Sequence, residues 1–245
     1  MKLSLAQIRL GDNKNQNFNK TIDYIAKAGN KSDLLIFPEL QLSPFYPLKH
    51  IEEWNATRDD LSITLDDHRV RKIQEAARES DIYVSPNIYI KEDGKNYDMS
   101  LMINPKGEIV GKSAMVNIHS SEKFWEGDYY DSWGEGYKVY HLPFGNVGVV
   151  VCYDRHKDGI EQCAQLGAQV VVIPTVNLIS EPMDEYAQEM IDKAKANKVY
   201  IAMCNRVGRE GDDTFAGESI VVSPEGEVLV KAGNHEELIT VEINL

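Results

Sequence analysis

An unbroken apolar run, Val147-Gly148-Val149-Val150-Val151, ends at Cys152 and passes at once into Tyr153-Asp154-Arg155-His156. Its residues are mostly β-branched and do not alternate with polar ones. That pattern specifies a strand covered on both faces, and such a strand requires a layered α/β fold. The abrupt polar end places Cys152 at the strand's C-terminal end, facing a polar cleft. A lone cysteine is most often a small core hydrophobe. At an apolar-to-charged boundary the thiol also offers the strongest side-chain nucleophile available near neutral pH.

The rest of the chain repeats the theme. Strand patterns cover residues 2–8, 34–37, 82–90, 100–104, 139–142, 147–151, 170–173, 199–204, 218–222, 228–231 and 238–241. Helical periodicity covers 16–28, with Phe18, Ile22, Ile25 and Ala26 on one face, and then 67–79, 159–166 and 183–197. Pro105-Lys106-Gly107, Phe144-Gly145-Asn146 and Pro224-Glu225-Gly226 punctuate the strands as turns. No linker or change of composition divides the 245 residues, so a single α/β domain over 1–245 is expected, with two strand layers and helices outside them.

Composition narrows the function. The net charge of −13 gives no electrostatic footprint for nucleic acid or an anionic membrane. No apolar stretch is long enough for a transmembrane helix, and Met1 to Ile8 alternates like a strand rather than a signal peptide. The three cysteines are odd in number and lack metal-ligand spacing, which argues against a disulfide framework or a zinc site. A cytoplasmic setting, a small-molecule substrate and no cofactor are expected.

Several short motifs then fall in order: Phe37-Pro38-Glu39-Leu40, Asn104-Pro105-Lys106-Gly107 leading to Gly111-Lys112, Glu122-Lys123-Phe124-Trp125-Glu126-Gly127-Asp128, Cys152-Tyr153-Asp154-Arg155-His156, Cys204-Asn205-Arg206-Val207-Gly208 and Phe215-Ala216-Gly217-Glu218-Ser219. The ordered set resembles the nitrilase superfamily of carbon–nitrogen hydrolases over essentially the whole chain, most nearly the branch acting on N-carbamoyl amines and amino acids. The resemblance implies a four-layer α-β-β-α sandwich, homodimers, and a Glu–Lys–Cys catalytic set. By that likeness Glu39 is the general base, Cys152 the nucleophile, and Glu122 a second glutamate that positions substrate or lysine.

The lysine is where the likeness breaks. Aligned on Gly111, Ser113 takes the family's tyrosine place, Ala114 its arginine place, Met115 its lysine place and Asn117 its histidine place. Met115 matches a lysine in length, but it carries no charge and donates no hydrogen bond. Lys112 lies at an odd strand offset and so points to the opposite face. Lys123 adjoins Glu122 in a loop; a solvated surface lysine is the simpler expectation for both. After the nucleophile the family's Pro-Glu is replaced by Lys157-Asp158-Gly159, where Asp158 is a candidate helix cap.

Other candidates carry two readings each. Arg155 either clamps a substrate carboxylate or forms a structural ion pair with Asp154 or Asp158. The backbone N–H of Tyr153 is the expected oxyanion donor. Asn177, at a strand end, contacts substrate or caps a turn. Tyr46, Trp125 and Tyr130 wall a pocket or simply pack. His156, Cys163 and Cys204 read as structural, and His119 with its serines is a weak triad because no glycine-flanked serine elbow is present. Three functional readings follow: an active thiol amidohydrolase on a small amide, N-carbamoyl or nitrile substrate; a binding pseudoenzyme on the same fold; or a catalytic chain altered at position 115.

Overall fold

A computed structural model describes residues 1–245. The first half comprises β1 (Lys2–Gln7), α1 (Lys14–Ala28), β2 (Leu34–Ile36), the one-turn α2 (Arg58–Leu61), α3 (His68–Glu79), β3 (Tyr83–Ser85), β4 (Asn87–Glu92), β5 (Lys95–Ile103) and β6 (Ile109–Ala114). Short β7 (Ser120–Ser121) and β8 (Phe124–Trp125) follow. The second half holds β9 (Lys138–Leu142), β10 (Gly145–Val149), α4 (Gly159–Gln165), β11 (Val170–Thr175), α5 (Met183–Asn197), β12 (Tyr200–Asn205), β13 (Val207–Glu210), β14 (Asp213–Ala216), β15 (Ile220–Val222), β16 (Val228–Lys231) and β17 (Glu237–Glu242).

Two sheets result. One runs β17-β1-β2-β3-β5-β4, with β6 paired to β5; the other runs β16-β15-β12-β11-β10-β9. Each has a parallel centre, β1-β2-β3 and β10-β11-β12, flanked by antiparallel strands. The period-2 alternation of side chains explains the layering. Leu34 and Ile36 face the second sheet, packing with Val147, Val149, Val170 and Val172, while Leu35 turns the other way toward Ile25 and Ile73 on the helices. Val171 and Ile173 face outward onto Met190 and Ala194 of α5. The central strands are therefore largely apolar on both faces, with buried Ser4 on β1 and Ser85 on β3 among the polar exceptions. The four-layer α-β-β-α order expected from the resemblance is the one observed.

Local signals set the helix ends. The Asn13 side chain accepts from the N–H groups of Asn15 and Gln16, both at 3.1 Å, and Asp67 accepts from Arg69 at 2.8 Å. Asp158 precedes α4 but does not cap it; its carboxylate accepts from the Gln162 side chain at 2.7 Å instead.

Four expectations shift in detail. The 82–90 strand is broken between β3 and β4 at Pro86, which has no N–H for the ladder. β5 starts at Lys95 rather than Ser100. The β13–β14 hairpin, paired from Val207 opposite Ala216 to Glu210 opposite Asp213, has too few apolar alternations to stand out in the sequence. β10 ends at Val149, and Cys152–His156 coils into a single 3-10 turn. No helix is long and apolar enough to cross a membrane.

Candidate active site

The parallel strands of both sheets open at their C-terminal ends toward one another, and the loops there carry the polar residues. Glu39 lies three residues beyond β2. Its loop is latched in place: the Leu40 N–H donates to the Asn87 side chain at 2.8 Å, and the Gln41 N–H donates to the Asn87 carbonyl at 3.1 Å. Arg206 donates to the Ser43 carbonyl at 2.9 Å, while Glu210 accepts from the Phe45 N–H at 2.9 Å and pairs with Arg206 at 3.3 Å. Glu39 is wholly buried, and neither carboxylate oxygen accepts from an N–H group; its polar neighbours are the Asp98 carboxyl and the Cys152 thiol.

Cys152 faces it from the other sheet. Its φ of +42° is unusual for a residue with a Cβ. Such strain collects where a side chain must be aimed, and here it turns Sγ away from the core toward the cleft. Sγ lies 3.3 Å from the Thr175 hydroxyl and 3.6 Å from Nη1 of Arg155. A carboxylate oxygen of Glu39, one of Glu126 and the Cys152 sulfur all lie within 4.8 Å of one another. Donors so close could share one ion; a buried carboxyl beside a thiol is also a pairing across which a proton can pass.

The electrostatics are those of a buried, carboxylate-rich cluster. Burial pushes Glu39 well above the usual carboxylate range, reinforced by Cys152, Asp98 and Glu126. Burial raises Asp98, on β5, to about 6, and Glu126 to about 8. The Glu126 carboxylate accepts from the His119 N–H at 2.8 Å, which opposes that rise. Burial also raises the Cys152 thiol, with Arg155 pulling it back down. No lysine offsets these carboxyl groups. Lys112 reaches Glu92 at 2.6 Å and Lys123 reaches Asp213 at 2.6 Å, both away from the cleft.

Met115 is buried in the same cluster as Leu40, Tyr130 and Cys152. Its N–H donates to the Asp98 carbonyl at 3.0 Å and its carbonyl accepts from the Trp133 N–H at 2.9 Å. Beyond it, the buried Asp154 carboxylate takes the N–H groups of Val116 and Asn117, both at 2.8 Å. The turn after the nucleophile therefore holds the segment that carries position 115. A cavity of about 420 Å³ opens above Sγ, lined among others by His119, Glu126, Arg155, Asn177 and Tyr186.

The carbon-nitrogen hydrolase family model matches residues 2–245. The chain belongs to the carbon–nitrogen hydrolases of the nitrilase superfamily. It is 31% identical to an (R)-stereoselective amidase of Pseudomonas over 100% of this chain and 85% of that one. It is 28% identical to an omega-amidase of Xenopus tropicalis over 100% and 88%. Among solved structures, a variant of the Nesterenkonia AN1 amidase superposes with a TM-score of 0.87 at 21% identity, covering 99% of this chain and 90% of that one. That protein carries the acetamide moiety of fluoroacetamide added covalently at its active-site cysteine.

In this hydrolase the structure brings Glu39, Cys152, Arg155 and Asn177 to one place and leaves other candidates out. Glu122 is exposed at the cavity mouth, whereas Glu126 is buried beside Glu39 and Cys152. Of these two glutamates it is Glu126, and not Glu122, that the fold buries beside Glu39 and Cys152. A signal existed: Glu122 sits between Ser121 and Lys123, while Glu126 follows Phe124-Trp125, much as Glu39 follows Phe37-Pro38. Arg155 forms no ion pair with Asp154 or Asp158; it donates to Thr175 at 2.8 Å and to Asn177 at 2.6 Å. Asn177 is held in turn by Asn205, which accepts its N–H at 3.0 Å.

Tyr153 lines the cavity with its ring stacked on His119 at 4.2 Å. Tyr46 and Trp125 do not line it. Tyr46 packs edge-on against Trp54 at 5.4 Å, and Trp125 stacks on the His50 ring at 3.9 Å. His156 pairs with Glu189 at 2.6 Å, and Cys163 and Cys204 are sealed in the core. Asp98, Thr175 and Tyr186 were not anticipated, because nothing near them in sequence marks them as neighbours of the thiol.

Proposed function

We propose that the chain hydrolyses a small amide or N-carbamoyl compound through a covalent bond to Cys152. The observation that carries this reading is the buried placement of Glu39, Glu126 and Cys152 within 4.8 Å of one another, with Glu126 and Cys152 lining a cavity. Glu39 takes the proton from Sγ, and the sulfur attacks the substrate carbonyl carbon. The carbonyl π pair moves onto oxygen, which the Tyr153 N–H meets. Collapse breaks the C–N bond, and Glu39 passes its proton to the departing nitrogen. Glu39 then deprotonates a water that attacks the thioester; collapse breaks the C–S bond, Glu39 returns that proton to the departing sulfur, and the acid and the free thiol are released. Glu126, fixed by the His119 N–H, orients the substrate nitrogen. With Met115 in the lysine place, turnover is slow for a site of this kind.

The burial of Met115 in the Cys152 cluster favours one second reading, a binding protein that retains the pocket without turnover. Ammonia release from a panel of ω-amides, N-carbamoyl amines and nitriles separates the two. The proposal expects slow release, a transient acyl adduct on Cys152 in intact-mass spectra, and loss of both in Cys152→Ala. Release that survives Cys152→Ala would overturn the covalent route, and no release with any substrate would favour the binding protein.

A further inference from the structure

Two guanidinium groups are buried near the cleft, and they differ in one respect. Arg206 is neutralised by Glu210 at 3.3 Å. Arg155 is just as inaccessible, at 2% exposure, yet no carboxylate lies within 4.0 Å of its nitrogens. Its contacts are neutral: Nη1 donates to the Thr175 hydroxyl, Nη2 donates to the Asn177 side-chain oxygen, Nε has no partner, and the Tyr186 ring lies 5.0 Å from the guanidinium carbon. An unpaired buried cation is costly, and the cost is recovered only when an anion arrives. Nη1 already points at Sγ, 3.6 Å away.

We propose that Arg155 supplies the positive charge that Met115 cannot. This rests on the reading of Cys152 as nucleophile. When the Sγ proton moves to Glu39, the electron pair left on sulfur faces Nη1. On attack, the carbonyl π pair moves to the substrate oxygen, one bond beyond the carbon that Sγ holds and within reach of the same guanidinium. Arg155 gives up no proton at any step; it remains charged throughout and acts as a fixed electrostatic donor. The charged groups beside the reacting atoms are then Glu39 from the loop after β2, Asp98 from β5, Glu126 from the turn after β8, and Arg155; the second guanidinium felt by Glu39, that of Arg206, is already paired with Glu210. Thr175 and Asn177 at the end of β11 hold the guanidinium at its neutral edges, leaving its charge to the reaction.

A consequence for substrate follows. A guanidinium committed to the reacting centre does not also clamp a substrate carboxylate, and Glu122 and Glu181 at the mouth repel one. The substrates are uncharged or cationic amides and carbamoyl compounds.

The test is alkylation of Cys152 by neutral iodoacetamide and by anionic iodoacetate, located by peptide mass mapping. It is run on the unaltered chain, Arg155→Gln, Arg155→Lys and the double variant Met115→Lys with Arg155→Gln. Arg155→Gln is expected to slow iodoacetamide by about tenfold or more, through loss of the thiolate's cation. Arg155→Lys should keep most of the rate, and Met115→Lys should restore it in the Gln background. An iodoacetamide rate unchanged in Arg155→Gln overturns the proposal, and a fall confined to iodoacetate would assign the carboxylate clamp instead. If Arg155→Gln unfolds, labelling appears at Cys163 and Cys204 as well. Arg155→Lys then decides: a folded Arg155→Lys that has lost the rate overturns the proposal. Failure of Cys152 to label ahead of Cys163 and Cys204 in the unaltered chain would sink the nucleophile assignment, and this inference with it.

Discussion

Met115→Lys is the most informative perturbation of this site. The backbone at 115 is anchored on both sides, to the Asp98 carbonyl at 3.0 Å and by the Trp133 N–H at 2.9 Å. A lysine would therefore extend into the cluster that Met115 now occupies beside Cys152. There it would meet three buried carboxyl groups whose burial raises their pKa: Glu39, Asp98 at about 6 and Glu126 at about 8. Their company offsets the cost of burying an ammonium, so the substitution should fold. One oxyanion donor is worth about 100- to 1000-fold in rate, or about 2.7–4 kcal/mol. Arg155 already bears part of that load, and groups acting as a unit do not add. The expected gain is about 10- to 100-fold in kcat/KM. Ammonia release under identical conditions, with thermal melts of both proteins, measures it. A folded Met115→Lys protein with the rate of the unaltered chain, or a lower one, would refute the assignment of position 115 to the catalytic set.

Four further outcomes are expected. Glu39, Asp98 and Glu126 hold protons more tightly when folded than when unfolded, so their contribution to stability is full below about pH 4 and is lost as pH rises toward 8; melting temperatures should fall across that window, and less steeply in Met115→Lys. The acid limb of the pH–rate profile, set by loss of the Glu39 proton, should lie above the ordinary carboxylate range and move to lower pH when a lysine is added at 115; an unmoved limb would place that lysine out of reach of Glu39. Gly148→Ala would bring a Cβ to 2.8 Å from Cys163 Cβ and 3.3 Å from Ala168 Cβ, costing about 1–3 kcal/mol in denaturant unfolding. Light scattering should return at least twice the 27.7 kDa chain mass, in keeping with the nitrilase resemblance and with Leu166 at the end of α4 being half exposed; a monomer at micromolar concentration would speak against the dimer.

What the chain declares in one dimension is periodicity. Leu34-Leu35-Ile36 and Val170-Val171-Val172-Ile173 are apolar at every position because each strand has a covered face on both sides, so the layered fold was legible without coordinates. Cys152 was legible for the same reason, since it interrupts such a run. Glu39 and Cys152 also stand in motifs read directly from neighbouring residues. The segment from Met115 to Tyr137 has no such period. There the choice between Glu122 and Glu126, four residues apart, depends on which way a loop turns over the other sheet, and burial assigned it to Glu126. Arg155 is a similar case: three residues from the thiol in sequence, it could have met Asp154 or Asp158. The 3-10 turn that begins at the strained Cys152 instead carries it to Thr175 and Asn177, leaving the charge unpaired. Alternation along a strand tells which side is buried. Only the folded chain decides that residues 39, 98, 126, 152 and 155 gather at one place, because that depends on strand ends from two sheets meeting across the whole length of the sequence.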